Sequence, residues 1–115
     1  MNLNVEEEIK DYIIVNILNG KLKEGYPIHD IKYYTSLFKV NPTFVKSALL
    51  ALEKDGFIKK EAENYLVAAD DLKVEMTRIN YTNRYINELV KKSEAIGVSL
   101  DQVIEVLKLR NLANG

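Results

Sequence analysis

Asn41-Pro42-Thr43-Phe44-Val45-Lys46-Ser47-Ala48-Leu49-Leu50-Ala51-Leu52-Glu53-Lys54-Asp55-Gly56-Phe57-Ile58 decides the fold. Asparagine before proline starts a helix sharply: Asn41 caps it, and Pro42 takes the first helical position, where a missing N–H has no intrahelical partner to lose. Val45, Leu49 and Leu52 recur at helical spacing, and Asp55-Gly56 stops the run with a residue suited to a left-handed backbone. Lys59 and Lys60 then open an extended arm that turns at Glu61 to Asn64 and returns through Tyr65-Leu66-Val67. The segments 57–60 and 65–68 are too short for anything but a hairpin. A short helix followed at once by a lysine-bearing hairpin is the plan of a winged helix.

Outward from that stretch the pattern stays helical. Val5, Ile9, Tyr12, Ile13 and Ile17 form the apolar stripe of a first helix over 5–19, with Asn4 as its cap and Glu7 three residues on, as in a capping box. Gly20 ends it. Asp30 caps a second helix carrying Ile31, Tyr34, Leu37 and Phe38, and Lys39-Val40 turns tightly into the third. After the hairpin, Asp70 or Asp71 opens a long helix in which Leu72, Met76, Ile79, Asn83, Ile86, Val90 and Ser93 recur at alternating spacings of four and three. That is a heptad-like seam with polar interruptions, widened by Leu89 and Ile96. Gly97 stops it. Ser99 with Gln102 forms another capping box, and Leu100, Val103, Ile104, Leu107 and Leu112 mark a final helix.

The fold class expected is mainly α with a small β hairpin. A winged helix-turn-helix over residues 4–69 is followed by a two-helix appendage over 70–113. A domain this small cannot hide the stripe of the long helix, and an exposed apolar patch of that size marks an interface. The expectation is a two-fold symmetric homodimer built on Leu72, Met76, Ile79, Asn83, Ile86, Leu89, Val90, Val103, Ile104 and Leu107.

Composition narrows the function classes. With 115 residues there is room for one core and an appendage, not two enzyme domains. No uncharged apolar run of about eighteen residues occurs, so no membrane span is expected. The acidic start, Met1 to Glu8, lacks the layout of a signal peptide. Absence of cysteine excludes disulfides and thiolate metal sites and fits a cytoplasmic protein. One histidine, His29, supports neither a nucleophile–histidine pair nor a metal cluster, and there is no glycine-rich phosphate loop. Neither an enzyme nor a cofactor is expected, and nothing in the sequence points to an effector.

The chain resembles the GntR family of transcription regulators. The match runs over residues 9–67: Gly20-Lys21-Leu22-Lys23-Glu24-Gly25 looks like the family's G-x-L-x-x-G link, and Ile28 to Tyr34 occupies the place of its L-P-S-V-R-E-L segment. The likeness is strongest at Val40 to Leu49 and Leu52 to Ile58. Behind the hairpin, Lys92 to Ile104 resembles the tail of the small YtrA-type branch, in which two C-terminal helices make the dimer interface. The resemblance implies a repressor that binds a near-palindromic operator in double-stranded DNA as a dimer. The expected contacts are Thr43 and Lys46 on the third helix, Asn41 at its cap, Lys32 and Tyr33 on the second, and Lys59, Lys60 and Asn64 in the wing.

Departures from the family pattern define an alternative. His29-Asp30 replaces Pro-Ser, Lys32 stands where the family has a DNA-contacting arginine, and Glu61-Ala62-Glu63-Asn64 replaces a glycine-containing wing tip. Residues 1–69 carry nine lysines, ten acidic residues and no arginine; Arg78, Arg84 and Arg110 all come later. Arginine supplies the commonest specific contact to guanine. A winged-helix module that binds a protein instead of DNA is therefore the second expectation.

Overall fold

The computed structural model describes residues 4–114, so the first three residues of the acidic start lie outside it. Five helices and one hairpin follow in order: α1 (Val5–Leu18), α2 (Ile31–Phe38), α3 (Pro42–Lys54), β1 (Ile58–Glu61), β2 (Asn64–Val67), α4 (Asp71–Ala95) and α5 (Leu100–Asn114). The chain divides into two compact units, one ending at Thr77 and one beginning at Arg78, within α4. Among the described residues no helix is long and apolar enough to cross a membrane.

The first unit is the winged helix. Ile9, Ile13, Tyr34, Val45, Leu52, Ile58 and Val67 are almost wholly buried, so α1, α2, α3 and the hairpin share one core. The expected stripe of α1 is corrected in two places. Ile14 is buried, whereas Tyr12 lies at the surface, its ring edge-on to Tyr34 and Phe38. The expected cap is also absent: Asn4 makes no side-chain bond to the helix, and Glu7 pairs instead with Lys10 at 3.1 Å. The caps of α2 and α3 are as expected. Asp30 Oδ1 accepts from the Tyr33 amide at 2.9 Å, and Asn41 Oδ1 from the Thr43 amide at 3.0 Å. Leu37, placed on the apolar side of α2, is exposed.

The hairpin pairs Ile58 with Val67, Lys59 with Leu66, Lys60 with Tyr65 and Glu61 with Asn64. Its strands sit slightly differently from the sequence expectation: Phe57 stays outside, and the tip is only Ala62-Glu63. Ala62 has φ 56°, a left-handed backbone that glycine normally supplies. A further row of pairing was not expected. Residues 25–28 run antiparallel beside β2, with Gly25 N–H donating to Val67 O, Val67 N–H to Tyr26 O and Ile28 N–H to Tyr65 O at 2.8–3.0 Å. This row sets His29 and Asp30 next to the hairpin.

The second unit is the rest of α4, a turn and α5. Gly97 (φ 80°) makes the turn, which lets the following Val98 amide bond back to Ser93 O at 2.8 Å. The capping box at α5 is complete: Ser99 N–H donates to Gln102 Oε1 (2.8 Å) and Gln102 N–H to Ser99 Oγ (3.2 Å). Ser93 and Val103 are the only buried residues among those described in this unit. Arg84 lies over the Tyr81 ring at 4.1 Å.

Candidate nucleic-acid interface

α3 is positioned by its buried side: Val45, Ala48, Leu49 and Leu52 are fixed in the core, which turns Thr43, Lys46 and Leu50 to solvent. Asn41 is exposed too, but its side-chain oxygen is held by the cap, so only its –NH2 remains as a donor for another partner. The N-terminal amides of α3 have no intrahelical acceptors and carry the positive end of the helix dipole, which favours an anion.

Beside this face the hairpin and α2 form a groove. One cavity of about 440 Å³ is lined by Lys32, Lys60, Glu63, Asn64 and Tyr65 among others. A second, of about 240 Å³, shares Ile31, Leu49, Lys60 and Tyr65 with it and adds Lys46 and Leu50. Three of the expected lysines and Asn64 thus line two neighbouring cavities that share Ile31, Leu49, Lys60 and Tyr65. The β register explains why Lys60 is there and Lys59 is not. Side chains alternate along a strand, so Lys60 shares the face of Ile58, whereas Lys59 points to the other face. Lys60 Nζ stands 5.9 Å from the centre of the cross-strand Tyr65 ring. Tyr65 in turn donates its hydroxyl to Glu53 Oε1 at 3.3 Å, which ties β2 to α3. Burial, then the Glu53 carboxylate, push the Tyr65 phenol above its ordinary pKa.

Tyr33 borders the outer side of α2 with Lys32, in a separate open depression also lined by Ser36 and Leu37. Its ring stacks flat on His29, centroids 3.7 Å apart and planes 18° from parallel. The Tyr12 hydroxyl raises the Tyr33 pKa through a hydrogen bond and charge repulsion. Tyr34 is core: burial pushes its pKa up to about 12, against the lowering effect of the His29 backbone hydrogen bond. No group of three possible metal ligands occurs among the described residues.

The sequence reading did not place several lining residues in the site, among them His29, Asp30, Leu50, Glu63 and Tyr65. Leu50, 61% exposed, stands one turn after Lys46 and so shares its face, a signal present in the helical period. Glu63 lies in the groove itself, so one of the two wing carboxylates opposes the lysines there. Tyr65 orders the groove through contacts that depend on register and on α3, which local sequence does not reveal.

The fold is similar to that of several solved structures. A GntR family transcriptional regulator from Listeria monocytogenes superposes with TM-score 0.77 at 18% identity, over 90% of this chain and 92% of that one. A transcriptional antiterminator from Listeria monocytogenes EGD-e gives 0.65 at 22% identity, over 96% and 84%. YtrA from Sulfolobus acidocaldarius, a GntR-family transcription factor, gives 0.53 at 29% identity, over 70% and 85%. No protein-family model matches the chain, nor does any curated protein. The architecture, a winged helix followed by two helices, is that of GntR-family regulators.

Proposed function

We propose that this protein is a DNA-binding transcription regulator, a repressor that occupies a near-palindromic operator as a homodimer. One observation carries this reading: Lys32, Lys46, Lys60 and Asn64 line two neighbouring cavities, joined by shared walls, beside the solvent face of α3. In a winged helix that is where the major groove and the neighbouring phosphates would lie. The GntR-type neighbours support it. Thr43, Lys46 and the Asn41 amide read base edges, while Lys32, Lys60 and Tyr33 meet phosphates. Lys59 and Asn64 flank the wing, Lys59 on its opposite face.

The dimer is proposed from what a single chain leaves uncovered. Leu72, Met76, Ile79, Ile86, Leu89, Ile104 and Leu107 are exposed, and Asn83 lies on the same seam. Val90 is half-buried and Val103 already buried, so these two form the floor on which a partner would rest. A two-fold pairing along α4 and α5 sets the two α3 helices near one turn of DNA apart, roughly 34 Å. The reading places the protein in the cytoplasm, with DNA and a second copy of itself as partners and no catalytic role.

The second reading, a protein-binding winged helix, draws on Glu63 inside the groove and on the exposed Phe44 and Leu50 of α3. Selection from a random duplex pool, then titration of the enriched site at several salt concentrations, separates the two. The regulator enriches a palindrome, its affinity falls steeply with salt, and Lys46→Ala lowers the salt slope by about one per subunit. Failure to enrich any duplex at low salt defeats this reading and leaves the protein-binding one.

A further inference from the structure

Lys73, in the first turns of α4, reaches the end of α3. Its ammonium donates to the carbonyl of Asp55, the residue that ends α3, at 2.7 Å. The same nitrogen lies 4.5 Å from the centre of the Phe57 ring, which is buried at the start of the hairpin. Between these two contacts is Gly56, where an added Cβ would stand 3.9 Å from that nitrogen. Lys73 is itself held from both sides. Its amide donates to Asp70 Oδ1 at 2.9 Å, and its carbonyl accepts from the hydroxyl of the buried Thr77 at 2.6 Å. From there α4 continues without a break to Ala95.

We infer that Lys73 is a positioning residue that locks the C-terminal end of α3 to the first turns of α4. It thereby fixes how the DNA-reading helix is carried by the helix that joins two copies. The chemistry suits the task. The last carbonyls of a helix lack intrahelical donors and carry partial negative charge, so an ammonium there satisfies an orphan acceptor and the dipole together. The ring beneath it adds a cation–π contact and limits where the ammonium can go. Without the lysine, residues 55–57 lose the hydrogen bond and the cation–π contact that tie them to α4. Small rotations at that joint become large displacements at the far end of a long helix. The inference rests on the DNA-binding reading for its consequence, but the joint itself does not depend on DNA.

Lys73→Met keeps the apolar stem and removes the charge and its donors; Lys73→Arg restores charge and donors. Hydrogen exchange on the full-length protein without DNA tests the joint. In Lys73→Met the amides of residues 55–57 and 73–77 exchange at least tenfold faster, those of α1 and β2 are unchanged, and Lys73→Arg returns toward wild type. Exchange that is unchanged, or raised uniformly across the winged helix, overturns the inference. The consequence is tested on the selected operator with one base pair inserted between half-sites, a shift of about 3.4 Å and a rotation of roughly 34°. Wild type loses tenfold or more in affinity on the insertion. Lys73→Met binds the original site about tenfold more weakly and loses less than threefold on the insertion. Weaker binding with the full insertion penalty retained overturns the positioning role. If wild type binds no duplex, the proposed function fails, and the exchange result alone decides the joint.

Discussion

The two units of this chain solve the problem of burying apolar surface in opposite ways. In the first, four elements converge on a core that includes Ile9, Tyr34, Val45, Leu52 and Ile58, each with almost no exposure. In the second, two helices carry many large apolar residues but bury, among those described, only Ser93 and Val103. α5 makes the contrast plain: Val103 is buried, whereas Val106, Leu109 and Leu112, successively further round the helix, are open, Leu112 at 79% exposure. A helix that is apolar all round is a helix meant to be covered. The first unit therefore has a core of its own, whereas the second leaves an apolar surface for which a second copy of the same seam is the proposed cover.

The largest effect expected from this contrast lies in the second unit. Each buried aliphatic side chain is worth roughly 1.5–3 kcal/mol, and a two-fold interface loses it twice. Leu89→Asp should therefore weaken self-association by about 3–6 kcal/mol, on the order of a hundredfold or more. Analytical ultracentrifugation across a concentration series reads this directly, and an unchanged dimer would remove Leu89 from the interface. Next in size is Leu52→Ala in the first unit. A fully buried leucine truncated in a close-packed core costs about 2–5 kcal/mol. Thermal melting should show that loss independent of protein concentration, whereas the Leu89→Asp loss depends on it. If both losses scale with concentration, the two units are one cooperative structure and the contrast between them fails.

The parts of this architecture that were legible in the sequence are those specified locally. Asn41-Pro42 and Asp55-Gly56 bracket α3 within a residue of its observed ends, because both signals act on the backbone next to them. Ser99 and Gln102 form their reciprocal cap for the same reason. Asn4 and Glu7 have the same spacing but do not, since Lys10 offers Glu7 an ion pair one turn on. What was not legible is non-local. Nothing near Tyr26 or Pro27 announces that this link pairs with β2 and carries His29 to the groove. Alternation along β1 says that only one of Lys59 and Lys60 can border the groove, but the choice belongs to the register with β2 and the packing of Ile58. Tyr12 fits the apolar stripe by spacing but lies at the rim of the core, edge-on to Tyr34 and Phe38 of α2. Lys73 reads as an ordinary surface lysine until the end of α3 is seen beside it.

Alkaline pH should sharpen the comparison, because three phenols of the first unit, Tyr33, Tyr34 and Tyr65, have raised pKa values. Burial lifts Tyr34 from an ordinary value of 10.0 to about 12. A folded-state pKa above the unfolded one means that the stabilisation is complete below about pH 10. It is lost as pH climbs toward about 12, since the unfolded chain ionises first. Denaturant titrations should show the first unit weakening over that window, and Tyr34→Phe should flatten the dependence. An unchanged slope in the phenylalanine variant would place the alkaline sensitivity elsewhere.

The smallest expected effect tests whether the first unit carries local backbone strain that its core overrides. Lys39 ends α2 with φ 55° and ψ 49°, a left-handed conformation held by its own amide bonding to Thr35 O. A residue with a Cβ meets a penalty of roughly 1–2 kcal/mol there. Glycine escapes it but gives the unfolded chain more freedom to lose, about 0.5–1 kcal/mol. The difference predicts that Lys39→Gly stabilises by a few tenths to about 1 kcal/mol, up to several degrees in melting temperature for a unit of this size. Gly56, at φ 84° after α3, supplies the opposite sign: Gly56→Ala meets no close neighbour, so its expected loss is conformational. If Lys39→Gly destabilises instead, the tight α2–α3 turn is held by contacts of the lysine stem and not by the backbone, and the core is less able to dictate local geometry than its burial implies.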